Sequence, residues 1–161
     1  VYLRDQGVRQ DSIDAIFALG DDDLVKILRQ VIVLEKFLKT NDGESILIAY
    51  RRATNILQIE EKKDNEFYDA EPNEKYLIES EEQDLNQLSS EVAKEIRQYL
   101  EIEEYSLAMK KMATLRIPID KFFERVKVNV SDDVVRVNRL KLLSKIRRTL
   151  HLLANFSVIQ G

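Results

Sequence analysis

The sequence predicts an all-α bundle of about six or seven helices closed by a long C-terminal helix. Three observations predict it. Only four Gly and two Pro interrupt 161 residues, in a text rich in Leu, Ile, Lys and Glu, the good helix formers. Apolar residues recur at intervals of three and four along most of the chain, the spacing of helices packed on one core. Acids also gather just ahead of several of these stretches, where a helix dipole favours them.

Taken in order, a short helix opens near Asp11, with Ile13, Ile16, Phe17 and Leu19 on one face and Gly20 to end it. Asp21, Asp22 and Asp23 start a second helix whose face is Leu24, Ile27, Leu28, Val31, Leu34, Phe37 and Leu38. Asn41-Asp42-Gly43 reads as a turn, with Asp42 to cap a third helix over ESILIAYRRATNILQI that buries Ile46, Ala49, Ala53, Ile56 and Leu57. From Glu60 to Glu74 the text is polar, aperiodic and broken by a Pro, the pattern of a surface loop. Residues 81–101 return to helical spacing at Leu85, Leu88, Val92, Ile96 and Leu100. A further helix covers Tyr105 to Leu115, and Pro118 suits the first turn of another that carries Phe122, Phe123 and Val126. KVNVSDD is an extended connector, with Ser131 to cap the last helix and Asp132 and Asp133 on its dipole.

The length suits one domain that buries about 70% of its unfolded surface. The chain has no Cys, which excludes disulfides and thiolate metal sites and fits a cytoplasmic location. It has no run of about 18 apolar residues, so no membrane-spanning helix is expected, and no secretory signal is expected either. A start at Val1 leads us to expect a piece of a larger protein. Isolated Gly7, Gly20, Gly43 and Gly161 form no phosphate-cradling loop, so no nucleotide cofactor site is expected.

Charge is segregated. Residues 60–104 carry five basic and sixteen acidic side chains, residues 105–161 twelve basic and four acidic, in a chain of net charge −4. Such a distribution speaks of partners: the basic end attracts a polyanion, and the acidic middle repels one unless it faces away or docks a partner subunit. At 100° per residue, DDVVRVNRLKLLSKIRR and the residues after it resolve into two faces. Val135, Leu142, Leu143, Ile146, Leu150 and Leu153 form an apolar stripe, while Asn138, Lys141, Lys145 and Arg148 fall together on another. Arg139 lies within the apolar stripe, so it is expected to be a buried, paired and structural charge. A basic stripe is often only a solvated face, but this one lacks the interspersed Glu of ordinary helix pairs. It also follows KFFERVKVN, where Lys121, Arg125 and Lys127 flank two aromatics, a mixture suited to unpaired nucleic acid. Arg51, Arg52 and Asn55 share a polar side of the third helix, either solvated or able to touch backbone and base edges.

Catalytic chemistry finds little support. His151 is the single histidine, which argues against a triad or histidine metal site, and a surface or boundary position on the last helix fits it better. Asp21-Asp22-Asp23 serves a helix start better than a magnesium ion, so no metal and no catalytic residue is expected.

Pro118-Ile119-Asp120, Phe122-Phe123-Glu124-x-Val126-x-Val128, Asp132-Asp133, Arg136, Asn138-Arg139-Leu140, Leu142-Leu143 and Leu153-Ala154-Asn155-Phe156-Ser157 together resemble the C-terminal end of the bacterial glycyl-tRNA synthetase beta subunit. AYRRATNIL resembles its Arg-x-x-Asn-Ile-Leu segment, and VYLRDQGVRQDSIDAIFAL the stretch before that. The family often has Asp where Glu124 stands and a hydrophobic residue where Lys127 stands. The resemblance implies a DALR-type anticodon-binding bundle over 46–161, preceded by a helical segment over 1–45. It implies tRNA(Gly) and a separate alpha subunit as partners, in an assembly with two subunits of each kind, and no membrane or DNA. The alpha subunit would activate glycine with ATP and magnesium, so this piece needs no cofactor of its own. On this expectation Lys121, Lys127, Lys141, Lys145 and Arg148 meet phosphates, and Arg51, Arg52, Asn55, Phe123 and Asn138 meet bases. Two alternatives stay open: the similar domain of an arginyl-tRNA synthetase, and a helical protein-interaction module.

Overall fold

Each helix starts where the chain supplies acceptors for its first, otherwise orphaned amides. In the computed structural model, which describes residues 8–159, helix α1 spans Gln10–Phe17 and α2 Leu24–Leu38. They are followed by α3 (Asn41–Asp64), α4 (Ser80–Glu101), α5 (Tyr105–Ala113), α6 (Arg116–Arg125) and α7 (Asp133–His151), with no strand among the described residues. The segment VYLRDQG and Gly161 lie outside the described residues. Asp23 caps α2 by accepting from the amides of Val25 and Lys26, and Asp21 in turn accepts from the amide of Asp23. Two of the three acids thus serve the helix start.

Three boundaries differ from the sequence reading. The cap of α3 is Thr40 rather than Asp42: its hydroxyl accepts from the Gly43 amide at 3.0 Å, so Asn41-Asp42-Gly43 forms the first turn. Gly43 is required there by close approach, since a Cβ would lie 1.9 Å from the Phe37 carbonyl oxygen. Second, α3 does not stop at Ile59 but runs to Asp64, and Asn65 closes it in the left-handed conformation (φ 51°) with Lys62 and Lys63 in the last turn. Third, Asp132 rather than Ser131 caps α7, accepting from the amides of Val134 and Val135. A carboxylate at the cap adds charge–dipole attraction to the hydrogen bonds.

The long helices α3 and α4 both pack on α7, around a core that includes Leu57, Leu85, Ile96, Ile146 and Leu150, all fully buried. The short helices α5 and α6 and the link between them close the core with Met112, Leu115, Ile119 and Phe122. Burying side chains of this size contributes about 1.5–3 kcal/mol each. The α1 helix packs on the C-terminal turn Phe156–Val158, where the Asn155 amide donates to the Ala15 carbonyl at 3.0 Å. Leu24 and Phe17, expected on apolar faces, are 70% and 47% exposed. No helix among the described residues is long and apolar enough to cross a membrane.

Candidate nucleic-acid interface

The basic helix α7 faces the acidic middle of its own chain. Arg136 sits between the end of α3 and the connector, donating to Glu60, to Asp64 at 2.7 Å and to the Asn129 side chain at 3.1 Å. Burial works against its charge, but the bonds to Asp64 and Glu60 raise its pKa above the ordinary arginine value. Asp64 is held below the usual carboxylate range, first by the hydrogen bond that Tyr68 donates at 2.7 Å and then by Arg136. Burial and that bond to Asp64 push the Tyr68 phenol up to about 12. Arg147 pairs with the buried Glu61 at 3.9 Å. These partners explain why α3 outruns its apolar pattern: its last acids are buried against arginines.

Arg139 is buried, and it donates to both oxygens of the fully buried Glu82 at 2.8 and 3.2 Å. Its remaining fork donates to the Lys127 carbonyl at 2.6 Å, so it also fixes the connector between α6 and α7.

The Asn138–Lys141–Lys145–Arg148 stripe is not the open phosphate face that the helical wheel led us to expect. Asn138 is buried and clamps the backbone of Asn73, accepting from its amide at 2.7 Å and donating to its carbonyl at 3.1 Å. Lys145 is buried and donates to Asn86 at 2.9 Å and to Ser90 at 2.6 Å, while pairing with Glu71 at 2.9 Å. Arg148 donates to the Asp69 carbonyl at 2.8 Å and reaches Glu71 at 3.4 Å. Burial alone would raise the Glu71 carboxyl, yet Lys145 and Arg148 overcome it and hold it below the ordinary value. The physical reason is that the loop before α4 lays the Glu71 carboxylate and the backbone of Asp69 and Asn73 along α7. Only Lys141, half-buried, makes no ion pair with a described residue.

The other expected contacts gather elsewhere. The Arg52 guanidinium lies 4.3 Å over the ring centre of Phe123, which itself packs edge-on to the buried Phe122. Beside this pair an open groove of about 480 Å³ runs between α3 and the α6–α7 connector. Its lining includes Arg52, Ile59, Phe123, Arg125, Lys127 and Asn129. Arg52, Arg125 and Lys127 are exposed, and Ile59 is 65% exposed. Asn55 is exposed one turn beyond Arg52, and Lys121 is exposed one turn before Arg125. Arg51 points away from this group: it is half-buried and donates to the Ile159 carbonyl at 2.9 Å, tying down the C-terminal segment. Thus Arg52, Phe123 and Lys127 are brought together, with Asn55 and Lys121 nearby along their helices. Arg125 joins this group beyond the residues expected there; its place one turn after Lys121, at the end of α6, is the signal for it in the sequence.

A cation stacked on an aromatic, rimmed by Arg125 and Lys127, which make no ion pair with a described residue, and by the carboxylates of Glu60 and Glu124, is suited to phosphates and splayed bases. The sequence matches the family described as DALR anticodon binding domain over residues 46–156. The chain belongs to that family. Along its whole length it is also similar to glycine–tRNA ligase beta subunits, matching their C-terminal region. Identity is 45% with the protein of Rhodospirillum centenum, 44% with that of Phenylobacterium zucineum and 42% with that of a Ruegeria species. All of this chain is covered in each case, but only 23%, 24% and 24% of the relative. The chain therefore spans about a quarter of the length of these relatives. Of its elements, α1 and α2 precede the matched DALR region, while the groove and all of α7 fall within it.

Proposed function

We propose that this chain is the tRNA-binding C-terminal part of a glycine–tRNA ligase beta subunit, holding the anticodon arm of tRNA(Gly) while the assembled enzyme charges it. The observation that carries this reading is the Arg52–Phe123 stack at the exposed groove of a DALR domain. Anticodon bases are unpaired, so they present flat faces for stacking and edges for hydrogen bonds. Phe123 and Arg52 offer the stack, Asn55 an edge contact, and Lys121, Arg125 and Lys127 phosphate neutralisation. Residues 46–161 form the anticodon-binding bundle in this reading, and 1–45 the helical segment before it. Glycine activation with ATP and magnesium belongs to the alpha subunit of an assembly with two subunits of each kind, in the cytoplasm. This piece would hold tRNA without performing chemistry. Similarity to beta subunits along the whole chain favours glycine over arginine as the cognate amino acid.

Fluorescence titration with tRNA(Gly), tRNA(Arg) and a tRNA(Gly) of altered anticodon tests the reading. Preference for tRNA(Gly) should vanish when the anticodon is changed. Phe123→Ala should cost about 1–3 kcal/mol of binding, the usual worth of one stacked base. Phe123→Leu, which preserves packing on Phe122 but not stacking, controls for folding. Equal binding of all three RNAs, with no loss in either variant, would overturn it.

A further inference from the structure

A second concavity, of about 300 Å³, lies between α4 and α7, and its lining includes Ser90, Arg97, Lys145, Arg148 and Glu71. It holds three cations and one carboxylate, locally two positive charges in a chain of net −4. Lys145 is 7% exposed, and besides the neutral Asn86 and Ser90 its one ionic partner among the described residues is Glu71. A buried ammonium demands an anion, and losing it is costly. Yet the Glu71 side chain is 68% exposed, against 9% for Lys145 and 38% for Arg148. Its second oxygen reaches Arg148 only at 3.4 Å. Arg97, exposed on α4, lines the same concavity and makes no hydrogen bond or ion pair with a described residue.

We propose that Arg97, Lys145 and Arg148 form a binding site for a phosphate group, filled in this structure by the chain's own Glu71. A phosphate brings more charge and more acceptor oxygens than a carboxylate, so it can engage Lys145 and both arginine forks at once. Ser90 adds a hydroxyl beside Lys145. Entry of the phosphate displaces Glu71 and releases the Asp69–Glu71 side of the loop from α7, while the Asn138 clamp on Asn73 still anchors its far side. The proposal does not depend on the groove at Phe123, because neither Arg97 nor Lys145 lines it.

The test is a titration of the full isotope-labelled chain with inorganic phosphate, read by NMR at the Arg97 and Arg148 side-chain Nε–H groups and the Ser90 amide. A chloride series at matched ionic strength runs in parallel. Glu71→Gln should bind phosphate at least about tenfold more tightly than the parent, since the competing charge is gone. Adding Arg97→Ala to that variant should remove most of the gain, and Arg97 is too exposed for its loss to threaten folding. A second arm uses a short single-stranded oligonucleotide without terminal phosphate. Shifts at the same three residues would assign a backbone phosphodiester; shifts with inorganic phosphate alone would assign a free or terminal phosphate. Both support the site. No saturable shift in Glu71→Gln, or shifts that chloride reproduces, would overturn it.

Discussion

Glu82 shows how much one residue does here. With no exposed surface, it accepts from the amides of Ile78 and Glu79, completing the capping box of α4, and from the guanidinium of Arg139 on α7. Glu82→Ala leaves a buried guanidinium without its counter-charge, and should cost about 3–5 kcal/mol in urea unfolding. Glu82→Gln, which retains an acceptor, should cost less. His151 carries a pH signature. Its Nε2 is hydrogen-bonded to the Tyr50 hydroxyl at 2.7 Å. Burial, aided by the charge of Arg147, holds the imidazole below its ordinary value of 6.5. The folded state therefore favours neutral His151, and that contribution is present above pH 6.5 and lost as pH falls below it. Urea midpoints at pH about 7.5 and about 5.5 should show a decline that His151→Gln lessens. An equal decline in the variant would remove His151 as the cause.

At the scale of elements, what could be read from the sequence divides along a physical line. The helices built on apolar periodicity were legible: Ile27, Val31 and Leu34 on α2, or Leu85, Val92 and Ile96 on α4, announce their buried faces directly. The last turn of α3 was not, because Glu60 and Glu61 are buried by ion pairs with residues far along the chain, and hydropathy cannot register a distant partner. Asn65 after Lys62 and Lys63 was the local sign of the true end. The same limit governed the basic stripe. Its alignment on α7 was legible, but Glu71 and the backbone groups of Asp69 and Asn73 that cover it lie in a loop with no periodicity at all. In the groove, Phe123 and Lys127 were legible because charge and aromatics alternate locally, whereas the approach of Arg52 depends on how α3 crosses α6. Gly43 supplies a prediction at this scale. Replacing a helical Gly by Ala ordinarily gains about 1 kcal/mol. Here the new Cβ would strike the Phe37 carbonyl, so Gly43→Ala should lower the unfolding midpoint. A rise would show that the α2–α3 junction has room to spare.

For the whole molecule, the segregation of charge along the chain turns out to be instructions for folding as much as for binding. The acids of residues 60–82 and the cations of α7 neutralise one another across the bundle: Glu60 and Asp64 on Arg136, Glu71 on Lys145, Glu82 on Arg139. Arg136 and Arg139 then hold Asn129 and the Lys127 carbonyl, so the buried pairs brace the connector that walls the groove. The cations left exposed there, Arg52, Arg125 and Lys127, are the ones that we propose meet RNA in the groove. The most direct measurement is the salt dependence of tRNA(Gly) binding for the parent and for Arg125→Glu with Lys127→Glu. Each lost phosphate contact flattens the slope of log K against log salt by somewhat less than one. The double variant should bind more weakly, with a slope reduced by roughly two and an unchanged urea midpoint. Parental affinity and slope in a folded double variant would contradict the assignment of the groove to RNA.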